Sequence, residues 1–365
     1  MPPGAPNEYR MEMKKRTWFS IAGSFIALMA GSGVVTGQEL LQYYVPYGSR
    51  MWVTAAVIGG VLLLAVYAFA YAGSRGAEDA FVFYFGTLPG RILSGYAAVV
   101  CFLSYAMMIA AGSAAVGEQF GAPSWVGAMG ITVLTVLAVL AGLQRFLRML
   151  RPLGVVLLGI LQLMALYALI KAGGDLSRGM TLLRGGAVTR PSLGPLAAGI
   201  GCGGFCLLWL PRLSVTLGQE RGAGSVAAGA GVGIGLVLVG NMLLSLALIA
   251  GLPDTARRQI PNLILAYRLY APLAAWFGGL ICLAIFNSAT PLLWTVVSTL
   301  PQRRGMRIPF TLVLAGAACA LALNVPFDRL MRHTYTINGW FGAALLAAML
   351  LSLLQKRREK HGSTH

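Results

Sequence analysis

The chain has 365 residues, 57% of them hydrophobic and only 11% charged, with a mean hydropathy of +0.74. That balance excludes a water-soluble domain and reads as an integral membrane protein. The formal net charge of +17 sits in short clusters between apolar runs rather than along one helical face, which assigns it to topology and anionic lipid headgroups and excludes a nucleic-acid partner.

A hydrocarbon core about 30 Å thick needs roughly 20 apolar residues per helix. Such stretches fall at 17–45, 52–73, 92–117, 125–144, 153–171, 193–217, 225–252, 272–299, 308–325 and 337–355, predicting an all-α protein of about ten transmembrane helices. Residues 1–16 are then a cytoplasmic segment, 17–171 a first five-helix repeat and 172–192 an extracytoplasmic connector. Residues 193–355 form a second five-helix repeat, and 356–365 a basic cytoplasmic tail. With the N-terminus inside, 18 of the 28 Lys and Arg fall on the cytoplasmic side and 10 outside, in the sense of the positive-inside rule. RFLRMLR at 145–151, RRGMR at 303–307 and KRREK at 356–360 carry most of the bias. The first span follows Arg10, Lys14, Lys15 and Arg16 with no small-residue cleavage site, so no cleaved signal peptide is expected.

The first span is interrupted at Ala30-Gly31-Ser32-Gly33, in the stretch GSGVVTGQELLQYY. A helix opened in hydrocarbon frees backbone groups that cost several kcal/mol each unless something pairs with them. N–H groups near Gly31-Ser32-Gly33 suit a carboxylate, and carbonyls at Ala30 suit an ammonium group or a sodium ion. Glu39 is the carboxylate placed well inside a span, where charge is expensive and usually functional. Thr36-Gly37-Gln38-Glu39 also reads as a T-x-x-E capping box at the restart of the helix, so Glu39 has two compatible readings, a cap or a coupling group. Tyr43 and Tyr44 fit the interfacial aromatic belt better than a gate. In the third span, Tyr105, Met108 and Ser113 are either pocket walls or core packing.

The sixth span carries a second glycine cluster, Gly199-Ile200-Gly201-Cys202-Gly203-Gly204, before Phe205. It is expected to unwind as the first does. Broken helices at equivalent places in two halves of opposite orientation point to an inverted-repeat transporter; GAGVGIG at 229–235 reads only as close packing. In the eighth span, Asn287, Ser288 and Thr290 offer oxygen ligands for sodium together with Ala30 and Gly33, or else ordinary interhelical hydrogen bonds. Gln162, Asn241 and Ser245 read as such bonds outright.

Cys101, Cys202, Cys206, Cys282 and Cys319 fall inside apolar runs, and His333, His361 and His365 fall in a loop and the tail. No metal site and no cofactor beyond a sodium ion is expected. Without a nucleophile, base and orienter arrangement or a phosphate loop, the chain does not read as an enzyme.

GSGVVTGQELLQYY resembles the GAGFASGQE-type opening of the YkvI-like bacterial membrane proteins, a branch of the amino acid-polyamine-organocation superfamily. MMIAAGSAAVGEQFG at 107–121 is similar to that family's third span, QIPNLILA at 259–266 to its E-I-P segment, and NVPFDRL with YTINGWFG near 324–342 to its last loop and span. The resemblance implies a LeuT-like 5+5 inverted-repeat bundle in the bacterial cytoplasmic membrane, with substrate between spans one, three, six and eight. Gly31-Ser32-Gly33 looks like the G-S-G turn that binds substrate carboxylates in related amino acid transporters. Asn287-Ser288 falls where sodium-coupled relatives often carry Ser and Thr. The expected function is secondary transport of a small polar solute, an amino acid or amine, coupled to sodium or protons. In that scheme substrate meets Ala30, Gly31, Ser32, Gly33, Tyr105, Met108, Gly201, Cys202, Gly203, Gly204 and Phe205, and Thr36, Gln38 and Glu39 couple or gate. The alternative is a receptor of the same fold that binds without transporting; its expected sensory appendage has no counterpart here beyond the tail at 356–365.

Overall fold

The computed structural model describes residues 7–29, 32–141, 144–188, 194–269, 271–299 and 306–362, and among them there are helices and turns but no strand. Ala30, Gly31, Arg303, Arg304 and both chain ends lie outside the described residues. The first stretch holds α1 (Asn7–Met29), α2 (Ser32–Thr36) and α3 (Gln38–Tyr43), followed by a 3-10 segment, Val45–Arg50, that leads into α4 (Met51–Ser74). Then come the short α5 (Ala80–Phe85), the long α6 (Thr87–Phe120), α7 (Ser124–Leu140), α8 (Gln144–Ala172) and a surface helix, α9 (Asp175–Arg184). The second half has α10 (Pro195–Cys206), α11 (Pro211–Arg221), α12 (Ala223–Ala250), α13 (Pro261–Leu269), α14 (Ala271–Thr299), α15 (Arg307–Asn324) and α16 (Phe327–Gly362).

Among the described residues seven helices are long and apolar enough to cross a membrane, and α10 with α11 adds a pair bent by 64°. The first and fourth expected stretches contain the shorter apolar helices Trp18–Met29 and Ser124–Leu140. Large apolar side chains such as Leu163, Val239, Trp276 and Ile337 point outward, as they do where the solvent is lipid. The chain is a multi-pass membrane protein.

Packing divides the helices into two groups. In one, α1 lies on α12, and α4 is covered by α10, α11 and α12; in the other, α6 lies on α7, α14 and α15. Glycine sets the closest crossings. A Cβ at Gly204 would meet the Gly339 carbonyl, one at Gly339 the Gly201 carbonyl, and one at Gly342 the Gly204 carbonyl, so α10 and α16 touch backbone to backbone. On the other face of α10, Gly199 and Gly203 seat Val57 and Val61 of α4.

This corrects the expectation of unwinding at Gly199–Gly204. Those residues are helical throughout α10, and the break comes later, through the 3-10 turn Leu207–Trp209 and Leu210 to Pro211. Dense glycine serves two packing faces here, while Pro211, which has no N–H and a fixed φ, opens the new helix. The last helix also begins earlier than expected, at Phe327 rather than near 337, so His333 lies on a helix rather than in a loop.

Candidate functional site

α1 is described to Met29 and α2 from Ser32, so the break expected at Ala30-Gly31 lies outside the described residues. Among the described residues the first apolar stretch is interrupted at Gly37, whose φ of +85° is open to glycine at little cost. No capping box forms. The N-cap of α3 is Gly37, without a side-chain cap, and the Thr36 hydroxyl instead donates to the Gly33 carbonyl at 3.3 Å while accepting from the Gln38 N–H at 3.4 Å. A positive-φ glycine leaves no hydroxyl at the cap position, which frees the Glu39 carboxylate for other partners.

Those partners are in the protein centre. Glu39 Oε2 accepts from the Tyr335 hydroxyl of α16 at 2.9 Å, and the Cys202 thiol of α10 points at Oε1 from 3.9 Å. Gly33 provides the space, since a Cβ there would lie 2.6 Å from Glu39 Oε2. The Tyr335 ring stacks on Tyr43 at 5.4 Å and on Phe205 at 4.0 Å, and Phe205 meets Trp209 edge-on at 4.8 Å. Trp209 Nε1–H donates to Ser104 Oγ of α6 at 3.1 Å, bridging the two helix groups. Tyr44 is fully buried and its hydroxyl accepts from Asn241 Nδ2 of α12 at 3.4 Å. Tyr43 and Tyr44 are therefore core residues, not an interfacial belt.

Between α1, α3, α4, the 3-10 turn and α12 lies a cavity of about 20 Å³ lined by Met29, Val34, Glu39, Tyr44, Trp209 and Asn241. That is room for about one water. Asn241 Oδ1 is buried beside it without a hydrogen-bond partner. Among the described residues the ion pair is Arg268–Asp254 at the surface, and no cation pairs with Glu39.

Both ends of the bundle are closed by specific contacts. At one end, Asn262 of α13 donates to the Val34 and Val35 carbonyls at 2.8 and 3.0 Å, and its Oδ1 lies against Gly37. Glu118, at the end of α6, accepts from the Gln259 and Ile260 N–H groups at 2.7 and 3.2 Å. At the other end, Arg212 of α11 donates to Ser298 of α14 at 2.8 Å. Asn262→Ala is expected to remove both bonds, leaving the Val34 carbonyl only the Gly37 N–H at 3.1 Å and costing about 1–3 kcal/mol; faster alkylation of a cysteine introduced at Val34 would report the opening.

The other residues singled out from sequence are more dispersed. Tyr105 shares a hydrogen bond with Thr135 of α7 at 2.7 Å, Ser113 donates to the Ser124 carbonyl, and Met108 is buried on α6. Thr290 donates to the Phe286 carbonyl of its own helix at 2.7 Å, while Asn287 and Ser288 are half-buried on α14, which packs against α2. Gln38 is buried with Oε1 unpartnered, and Ser32 and Gly33 open α2. Sequence reasoning missed Tyr335, Trp209 and Asn262; for Asn262 the signal was Pro261, a first-turn proline. It also passed over the recurrence of Gly37-Gln38-Glu39 as Gly218-Gln219-Glu220 in α11, the second part of the other bent stretch.

No family model matches the chain, and no curated protein is similar to it. Solved structures are. MhsT in complex with L-phenylalanine aligns with a TM-score of 0.62 at 16% identity, covering 91% of this chain and 87% of that one. A variant of the Eremococcus coleocola manganese transporter aligns at 0.52 and 17% identity, covering 97% and 81%. MHP1, a nucleobase-cation-symport-1 family transporter with bromovinylhydantoin bound, aligns at 0.53 and 13%, covering 92% and 75%. The chain is a membrane protein with the LeuT-like fold that these transporters share.

Proposed function

We propose that the protein is a secondary transporter of a small polar solute, an amino acid or amine, working by alternating access. In this reading it crosses the cytoplasmic membrane of a bacterium ten times as a 5+5 inverted repeat, with both termini inside, as a member of the YkvI-like branch. The observation that carries the proposal is Glu39. It is a carboxylate buried at the restart of a broken helix, bonded to a second span and facing a third, with no cation paired to it among the described residues.

A lone buried carboxylate is costly as an anion. Glu39 is therefore neutral when it holds a proton or compensated when it holds a cation, and its occupancy decides how α3 is bonded to α16 and α10. Solute binds beside Gly33 of α2, with Phe205 and Trp209 as the facing wall. Opening of one end separates the α1, α4, α10 and α12 group from the α6, α7, α14 and α15 group, and the Trp209–Ser104 bond lies on that boundary. The one-water cavity with both ends latched is the closed intermediate of such a cycle. The recurrence of Gly-Gln-Glu in α3 and α11 supports the repeat. In this reading Asn287 and Ser288 of α14, which packs against α2, hold a sodium ion together with Gly33.

Thermal stability of the purified protein in sodium, potassium and choline buffers, across a panel of amino acids and amines, tests the ligand class, because selective binding to the folded state raises the apparent melting temperature. A rise with one solute class is expected, and a flat response across the whole panel would count against an amino acid or amine.

A further inference from the structure

A second cavity lies away from the broken helices. It has a volume of about 390 Å³ and lies between the C-terminal ends of α8 and α12, the surface helix α9 and α13, lined among others by Tyr167, Lys171, Asp175, Arg178, Leu265 and Arg268. That volume is in the range of small-ligand sites. Three of these six side chains are cations. Arg268 is engaged, donating to Asp254 at 3.1 Å and to the Ala250 carbonyl at 3.4 Å. Lys171 lies over the Tyr167 ring at 5.9 Å, and among the described residues neither it nor Arg178 forms an ion pair.

The surroundings specify the ligand further. Lys171 is in the last turn of α8, where the span ends. Immediately below it on α8, Leu163, Leu166 and Ile170 recur at helical spacing on one face and are 69%, 47% and 71% exposed, a lipid-facing stripe on the helix that supplies Lys171 to the cavity. A ligand filling both features has an anionic head and an apolar tail. Asp175 adds a hydrogen-bond acceptor beside the cations, which suits a headgroup hydroxyl.

We propose that this cavity is a binding site for the phosphoglycerol headgroup of an anionic phospholipid, with Lys171 and Arg178 on the phosphate, Asp175 on a glycerol hydroxyl and an acyl chain along Leu163 and Ile170. The site has a consequence for the lid. α13 supplies Leu265 and Arg268 to the cavity and, one turn earlier, Asn262 to the carbonyls at the helix break. A lipid held here steadies the helix that closes that end, whether or not the protein transports.

The test is a melting-temperature titration of detergent-purified protein with short-chain phosphatidylglycerol, with phosphatidylcholine of the same chain length, and with inorganic phosphate. Phosphatidylglycerol alone is expected to raise the melting temperature saturably. At about 1 kcal/mol per basic residue, a Lys171→Gln/Arg178→Gln protein should need about thirtyfold more lipid for the same shift. Lys171→Arg/Arg178→Lys should keep the wild-type titration, and Arg221→Gln, at the end of α11 beside the N-terminus of α12, should leave it unchanged. An equal response to phosphatidylcholine, a shift by inorganic phosphate alone, or the same titration in wild type and the double Gln variant would overturn the proposal; the second would make the ligand a soluble anion.

Discussion

Glu39→Gln is expected to abolish concentrative solute uptake, to less than a tenth of wild type, while the protein inserts, purifies and melts at or above the wild-type temperature. Glutamine keeps the shape and an oxygen to accept from Tyr335, but it cannot lose a proton or compensate a cation. The variant therefore fixes the neutral arrangement and removes the cost of a buried charge, so stability is kept where transport is lost. Exchange of labelled for unlabelled solute across the membrane, which needs no change in coupling, should survive better than net accumulation. Tyr335→Phe is the companion: it removes one hydrogen bond to the carboxylate, worth about 1.5–3 kcal/mol when the acceptor is charged, and should impair uptake less than Glu39→Gln while lowering stability more. Wild-type accumulation by Glu39→Gln would reduce Glu39 to a structural group.

The largest loss of stability is expected at Gly339. A Cβ there meets the Gly201 carbonyl of α10, and both groups belong to backbone, so neither helix can yield by a side-chain rotation. Overpacking a well-packed core of side chains costs about 1–3 kcal/mol, sometimes more. At a backbone-to-backbone crossing Gly339→Val should exceed that range and prevent recovery of folded protein. Gly316→Val, on α15 where a Cβ meets nothing within 4 Å, is the matched control and should express as wild type. Size-exclusion profiles of the two variants in mild detergent make the comparison, and equal monodisperse peaks would refute the account of how α10 and α16 pack.

Much of the fold was legible because lipid makes a simple demand. Length and apolarity located the long helices, and the interruption seen at Gly37 lies in the stretch that Gly-Ser-Gly and an intramembrane carboxylate marked. The second break was misread for a physical reason. Glycine both frees a backbone and lets two backbones approach, and Gly199/Gly203 against Gly201/Gly204 follow the i, i+4 and i, i+3 spacings of two packing faces, whereas Pro211 marked the actual bend. Tyr335 was hidden because Arg329, Arg332 and His333 lower the local hydropathy, so the apolar run was started too late to include a residue that is 1% exposed. The capping box failed because Gly37 occupies the cap. Side-chain contacts between α3, α10 and α16 span up to 296 residues of sequence, and no local pattern encodes them.

The central claim is tested most directly in proteoliposomes holding wild-type protein, challenged with a panel of radiolabelled amino acids and polyamines under an imposed proton gradient and, separately, a sodium gradient. Accumulation of one solute class above its external concentration under one of the two gradients, abolished in Glu39→Gln, is the predicted result. Saturable binding of a solute that never accumulates under either gradient would contradict it, and would make the protein a receptor built on a transporter fold.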